Sequence, residues 1–234
     1  MTKSTLQRFA KVAGFMYLFA FIAPTLNWVM ILSKFNVNNN ALATANKIIA
    51  DKLLFSIGLT IELTMAIGLI VLGFALFTVL KTINKNLALI ALLIKLVEAT
   101  ISVAIVLVTF IGLQMLTNEA GLPVSTLEQL KVQLGLMINS HTAIFSIPMV
   151  FLGVDMIIFS YLFLRSRYIP RVLAVFGIIS FTLILIHALM YIIAPAYAEM
   201  PINQIIFWAP SGLFEIIIGM WLLIKGINIH SQEK

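Results

Sequence analysis

Long aliphatic runs separated by short polar connections set the pattern of this chain. Six runs, near 12–33, 53–80, 87–116, 132–164, 172–194 and 205–225, reach the roughly 20 helical residues needed to cross a bilayer core. The pattern predicts an all-α, polytopic integral membrane protein, read as a single six-helix transmembrane domain over 1–234. Two polar connections carry helical signals of their own. Leu42, Ala45, Ile49 and Leu53 recur at a three-to-four spacing, which predicts a short amphipathic helix lying at the outer interface. Ser125-Thr-Leu-Glu128 reads as a capping box, so a helix is expected to start near Thr126 and to continue into the fourth span. Pro148 is expected to kink that span unless neighbouring helices satisfy the carbonyl it frees. Pro210 lies in the first turns of the last span, where proline costs less.

Composition agrees with the pattern: 62% of residues are hydrophobic and only 10% charged, far from the usage of a water-soluble domain. The cations then orient the spans. Lys3, Arg8, Lys11, Lys81, Lys85, Arg165, Arg167, Arg171, Lys225 and Lys234 fall on one set of connections, and Lys34, Lys47, Lys52 and Lys131 on the other. By the positive-inside rule the richer set is cytoplasmic and both termini are inside, and the even number of spans, which puts both termini on one side, agrees. Trp28 and Trp208 fall near the outer interface and Trp221 near the inner one, as an aromatic belt would place them. The net charge of +6 is thereby explained by topology and not by nucleic acid, for which no basic-aromatic surface element exists. The first run is expected to be an uncleaved anchor: it is too long for a signal-peptide core, and Ala41-Leu42-Ala43 lies too far beyond it to be its cleavage triplet. The hairpins 53–116 and 132–194 each place a basic turn between aliphatic helices, a weak internal likeness that any positive-inside hairpin would show.

Several stretches in order, FAKVAGFMYL (9–18), ATANKIIADKLLFSIG (43–58), LKTINKNLALIALLIKLVEA (80–99), SRYIPRVLAV (166–175) and LFEIIIGMWLLIKGI (213–227), resemble the family called domain of unknown function 4386. The resemblance implies a six-helix protein of a prokaryotic cytoplasmic membrane and brings no established activity. In that family's pattern arginine is commoner where Lys95 stands; lysine keeps the charge and loses the bidentate fork.

Chemistry, if any, rests on ionisable residues inside the runs. Counting about 1.5 Å per residue from the helix ends puts Glu62, Glu98 and Glu215 near the bilayer midplane, and Lys95 and Asp155 about a turn towards the cytoplasm. His187 falls somewhat outward and His141 nearer the outer surface. A charge at the centre of a spanning helix costs about 2.5–3.5 kcal/mol on insertion scales, so these five acids and bases are expected to face inward as one polar cluster. Each has a structural alternative. Lys95 lies about nine residues from Asn86, close enough for its stem to snorkel to headgroups. Asp155 pairs with it as pure structure, Glu98 accepts a bond from a neighbouring helix, Glu62 and Glu215 are protonated packing residues, His187 is a hydrogen-bonded interior histidine and His141 an interfacial one. Without cysteine, thiolate metal sites and thiol nucleophiles are excluded. The chain has no HExxH, no phosphate loop and no nucleophile elbow. No metal or cofactor is therefore expected. Gly68, Gly73 and Gly219 read as points of close helix packing.

Three readings of function stay open: a small-solute, ion- or proton-coupled transporter using the cluster; a structural, sensory or accessory membrane protein; and, ranked last, a lipid-directed membrane enzyme. The expected partner is the bilayer, with anionic headgroups facing Arg165, Arg167 and Arg171; nothing in the pattern points to a particular oligomeric state. Reporter fusions check the orientation. Those after Lys234 and within 165–171 should read cytoplasmic and those within 34–50 and 117–130 external; an external C-terminus would overturn the topology.

Overall fold

A computed structural model describes residues 2–37, 40–117 and 123–229. All regular structure among these is helical: α1 (Lys3–Met30), a 3₁₀ turn (Leu32–Lys34), α2 (Ala41–Ala50), α3 (Lys52–Leu80), α4 (Lys85–Thr117), α5 (Val124–Asn139), α6 (His141–Ser166), α7 (Arg171–Ile193), α8 (Pro195–Ala198) and α9 (Pro201–Ile224). Among the described residues α1, α3, α4, α6, α7 and α9 are long and apolar enough to cross a membrane. Short polar side chains start several of them by satisfying amides that the first turn leaves unpaired. Thr2 accepts from Thr5 N–H, Asn40 from Ala43, Asp51 from Leu54 and Asn84 from Leu87, at 2.9–3.3 Å.

Two sequence expectations are corrected at the connections between α1 and α3 and between α4 and α6. The Ser125–Glu128 capping box is not formed. Pro123 occupies the N-cap at φ −58°, ψ 145°, and its carbonyl accepts the amides of Thr126 and Leu127 at 3.0 and 3.1 Å. The fixed φ of proline sets the start two residues early, so Ser125 falls inside the helix. The helix does not run on into the fourth span either, for the chain turns at Ser140 (φ −99°, ψ 16°) and begins α6 afresh at His141. The amphipathic helix α2 forms but faces differently from its hydrophobic spacing. Thr44, Ala45 and Ile48 are buried while Leu42 and Leu53 are exposed. Thr44 Oγ1 receives the Val37 amide at 2.9 Å and bonds Asn139 Oδ1 at 2.8 Å, and this anchorage turns the helix onto α5 instead of onto lipid.

The spanning helices close into a ring. α1 packs on α3 and α9, α3 on α4, α4 on α6, α6 on α7, and α7 on α9. Where helices approach most closely a glycine makes room: a Cβ on Gly14 would lie 2.8 Å from the Gly219 carbonyl, and one on Gly153 would lie 2.7 Å from Leu185 Cβ. Such small-residue contacts are how helices associate without a hydrophobic driving force. One half of the ring is filled by Tyr17, Leu76, Met156, Phe159, Phe181 and Phe214. At that end Gln7 bonds both backbone groups of Ile227, Asn228 N–H donates to Tyr168 C=O, and Thr82 meets Tyr168 Oη. These bonds gather the start of α1, the α3–α4 and α6–α7 turns and the end of α9 at one face, the face that carries most of the basic residues. At the other end α2 and α5 form a cap over the ends of α1, α3 and α4, around Leu32, Phe35, Ile48, Phe55, Leu134 and Ile138.

The cap depends on one close approach, since a Cβ on Gly135 would fall on the Ala41 carbonyl oxygen. Gly135→Val should therefore cost about 1–3 kcal/mol and raise amide exchange in 41–50 and 124–139, whereas Ser125→Ala should leave both unchanged. Exchange measured on the two variants checks this, and a loss on Ser125→Ala would restore the capping box.

Candidate functional site

On α4 the polar residues Lys95, Glu98, Ser102 and Thr109 follow the three-to-four spacing of one face, and all four are buried, while Leu93, Val97 and Leu107 on the opposite face are exposed. Lys95 Nζ lies 2.6 Å from Glu98 Oε2 on its own helix and 3.0 Å from Asp155 Oδ1 on α6. Lys95 and Asp155 have 0% exposure and Glu98 2%. The lysine is thus turned into the ring and does not snorkel. Gly73 on α3 allows this: a Cβ there would lie 2.8 Å from Lys95 Cγ, so the missing side chain leaves the channel in which the lysine stem lies. The two contacts differ in kind. Lys95 donates a hydrogen bond to Glu98, but neither Asp155 oxygen has a hydrogen bond of good angle among the described residues, so Lys95 holds Asp155 by charge more than by directed bonding.

Two further groups face this triad. Glu215, half-buried on α9, lies within electrostatic reach of Lys95 and Glu98. Tyr17, buried on α1, lies within reach of Glu215 and Asp155. Sequence reasoning missed Tyr17, because in FMYLFAF an amphipathic phenol looks like one more aromatic of a spanning helix. A single ammonium therefore faces three carboxyl groups contributed by α4, α6 and α9.

Glu62 stands apart. Eleven residues of α3 separate it from Gly73, about 16 Å along the axis from the place where Lys95 packs. It pairs with His141, Nε2 to Oε1 at 2.9 Å. The imidazole is stacked between Trp28 and Phe145, with centroids at 4.5 and 4.4 Å. A void of about 10 Å³ beside them, lined by Leu59, Ile105 and Thr109, is close to the space one water occupies. The polar residues foreseen as one cluster are thus arranged on two storeys, with Ser102 on the α4 face between them.

His187 belongs to neither storey. Trp208 Nε1–H donates to its Nδ1 at 2.8 Å, and its Nε2 lies 3.2 Å from the Ala198 carbonyl. An indole N–H only donates and a carbonyl only accepts, so the ring is the neutral tautomer with its proton on Nε2. Both nitrogens are thereby engaged, and the residue ties α8 and α9 to α7. Among the described residues no group of three or more His, Asp or Glu is placed to hold a metal ion.

A sequence model described as domain of unknown function (DUF4386) matches residues 12–226. The chain belongs to this family. No curated protein and no solved structure matches it. The matched region contains every member of the two storeys.

The coupling of Lys95 to Asp155 is open to a double-mutant cycle in thermal stability. Lys95→Met and Asp155→Leu should each cost about 3–5 kcal/mol by stranding a buried charge, and the double variant should cost less than their sum. Additivity to within about 0.5 kcal/mol would show the two residues to be uncoupled.

Proposed function

We propose that this protein is a transporter coupled to protons or a small monovalent cation, with Lys95, Glu98, Asp155 and Glu215 as the coupling site and Glu62 and His141 as a second station nearer the cap. The observation that carries the reading is the charge balance of the ring interior: one ammonium against three carboxyl groups, with Asp155 at 0% exposure and lacking a well-directed hydrogen bond. A static strut would be expected to satisfy every buried partner, because an unpaired charge in a low-dielectric interior is destabilising. An excess of carboxyl groups asks instead for a proton or a cation, and intramembrane acids arranged on facing helices are the common means of moving one. Between the site and the basic end the ring is packed with Leu80, Leu162, Phe163 and Leu222, so the conformation is one in which the site is closed from that end. The reading sets the chain in the cytoplasmic membrane of a prokaryote, with the basic face and both termini inside and Arg165, Arg167 and Arg171 at the headgroups.

A structural or sensory role is the second reading, favoured by the complete burial of Lys95. Displaced charge separates the two. Protein reconstituted on a solid-supported membrane and exposed to pH or sodium jumps should give a transient current, reduced at least about tenfold in Asp155→Asn and Glu98→Gln, since each removes an acid from the exchanging set. A wild-type protein that stays silent under both jumps would support the structural role.

A further inference from the structure

At the basic end of the bundle a groove of about 660 Å³ opens between the start of α1, the α6–α7 turn and the residues after α9. Lys3, Arg167 and Lys225 line its sides, and none of the described residues lining it is acidic. The walls are tied to one another. Gln7 Nε2 donates to the Ile227 carbonyl at 2.6 Å, Gln7 Oε1 accepts the Ile227 amide at 3.0 Å, and the Asn228 amide donates to the Tyr168 carbonyl at 2.9 Å. Tyr168 and Ile227 are themselves buried, so the groove is built on packed backbone.

One of the cations is held in a defined position, and another stands on a constrained backbone. Lys225 Nζ lies 4.4 Å from the centroid of the Trp221 ring, a cation–π contact that fixes the end of a long flexible stem. Arg167 ends α6 with φ 57°, a left-handed backbone that costs a residue with a Cβ free energy and is found mostly with glycine or asparagine. Either of those would serve the turn with less strain.

We propose that this groove binds the phosphate-bearing headgroup of an anionic membrane lipid. The inference goes beyond the transport reading and stands without it. α1 has 28 residues, about 42 Å of helix against a hydrocarbon core of about 30 Å, so its first turns reach the headgroup layer. A guanidinium fork beside an ammonium matches a phosphate in charge and geometry. Ile169, Ile229 and Trp221 supply an apolar wall suited to the glycerol and upper acyl portion of a lipid, which a free phosphate would leave unused.

The test uses full-length protein in maltoside micelles, titrated with phosphatidylglycerol, phosphatidylcholine or soluble glycerol 3-phosphate, with native mass spectrometry and the thermal midpoint as readouts. Phosphatidylglycerol should bind at least about thirtyfold more tightly than phosphatidylcholine and raise the midpoint. Arg167→Asn combined with Lys225→Gln should lower that preference roughly thirtyfold, about 2 kcal/mol for two charges. Asparagine tolerates the left-handed turn, so the midpoint without lipid should be unchanged; if the pair fails to fold, Lys225→Gln alone should lose roughly fivefold. Arg165→Gln and Lys81→Gln, outside the groove, should keep the preference. A preference that survives the groove variants, or that falls equally in the outside ones, overturns the site. Glycerol 3-phosphate binding as tightly as the lipid overturns the lipid assignment in favour of a soluble anion.

Discussion

A lysine ammonium with no exposed surface has to be neutralised where it stands, and the centre of this bundle is arranged around that requirement. Lys95 has its partners at 2.6 and 3.0 Å, and neither could be reached if its stem did not lie flat against α3. Gly73 clears that path. The pairing of α4 with α6 is then more than apolar packing, because Lys95 and Asp155 join the two helices by charge. Position on the same helix is not sufficient to hold the pair: an i,i+3 ion pair contributes only about 0.2–0.5 kcal/mol in water, far below the several kcal/mol that two charges cost in hydrocarbon. The carboxyl on another helix and the closed ring around it make the difference.

The same constraint separates the two storeys. Between Lys95 and the Glu62–His141 pair lie Met65, Leu69 and Ala99, packed with Phe19 and Ala20, so the polar groups cannot merge into a continuous network. Each storey is balanced differently. The Lys95 storey carries more acid than base, whereas the Glu62 storey matches a carboxyl with an imidazole clamped between two aromatic rings. The cap of α2 and α5 sits over the Glu62–His141 pair, and Leu80, Leu162, Phe163 and Leu222 fill the ring between the triad and the basic end. A path for an ion would thus have to open at both ends in turn, which is the general requirement of alternating access.

Other polar residues in the apolar helices serve shape. His187 is locked as a neutral acceptor and donor by Trp208 and Ala198, and it positions the short α8 so that α9 can return across the membrane. Tyr168 plays a similar part at the basic face, where bonds to Thr82 and Asn228 join three connections. That face is tied together by backbone hydrogen bonds and lined by basic side chains.

Much of the architecture was legible from residue order alone, because a spanning helix is specified by twenty or so consecutive apolar residues and the bilayer leaves the backbone no other way to satisfy itself. The six helices, the inward turn of Lys95, Glu98 and Asp155, and Gly73 and Gly219 as close-packing points all follow from that local logic. Boundaries set by competing local signals were read less well: at Pro123 a fixed φ prevails over the serine cap, and at Ser140 a turn interrupts what composition presents as one run. Which polar groups meet was beyond the sequence altogether. Depth counted along each helix says nothing about rotation about its axis or about which helices are neighbours, so Glu62 reads as a member of the central cluster until the ring places it opposite His141. Tyr17, carried on a helix with no acid of its own, is drawn to the acids by ring closure between α1 and α9. Burial of ionisable groups in lipid dictates that partners exist; only the packing of the helices decides which partners they are.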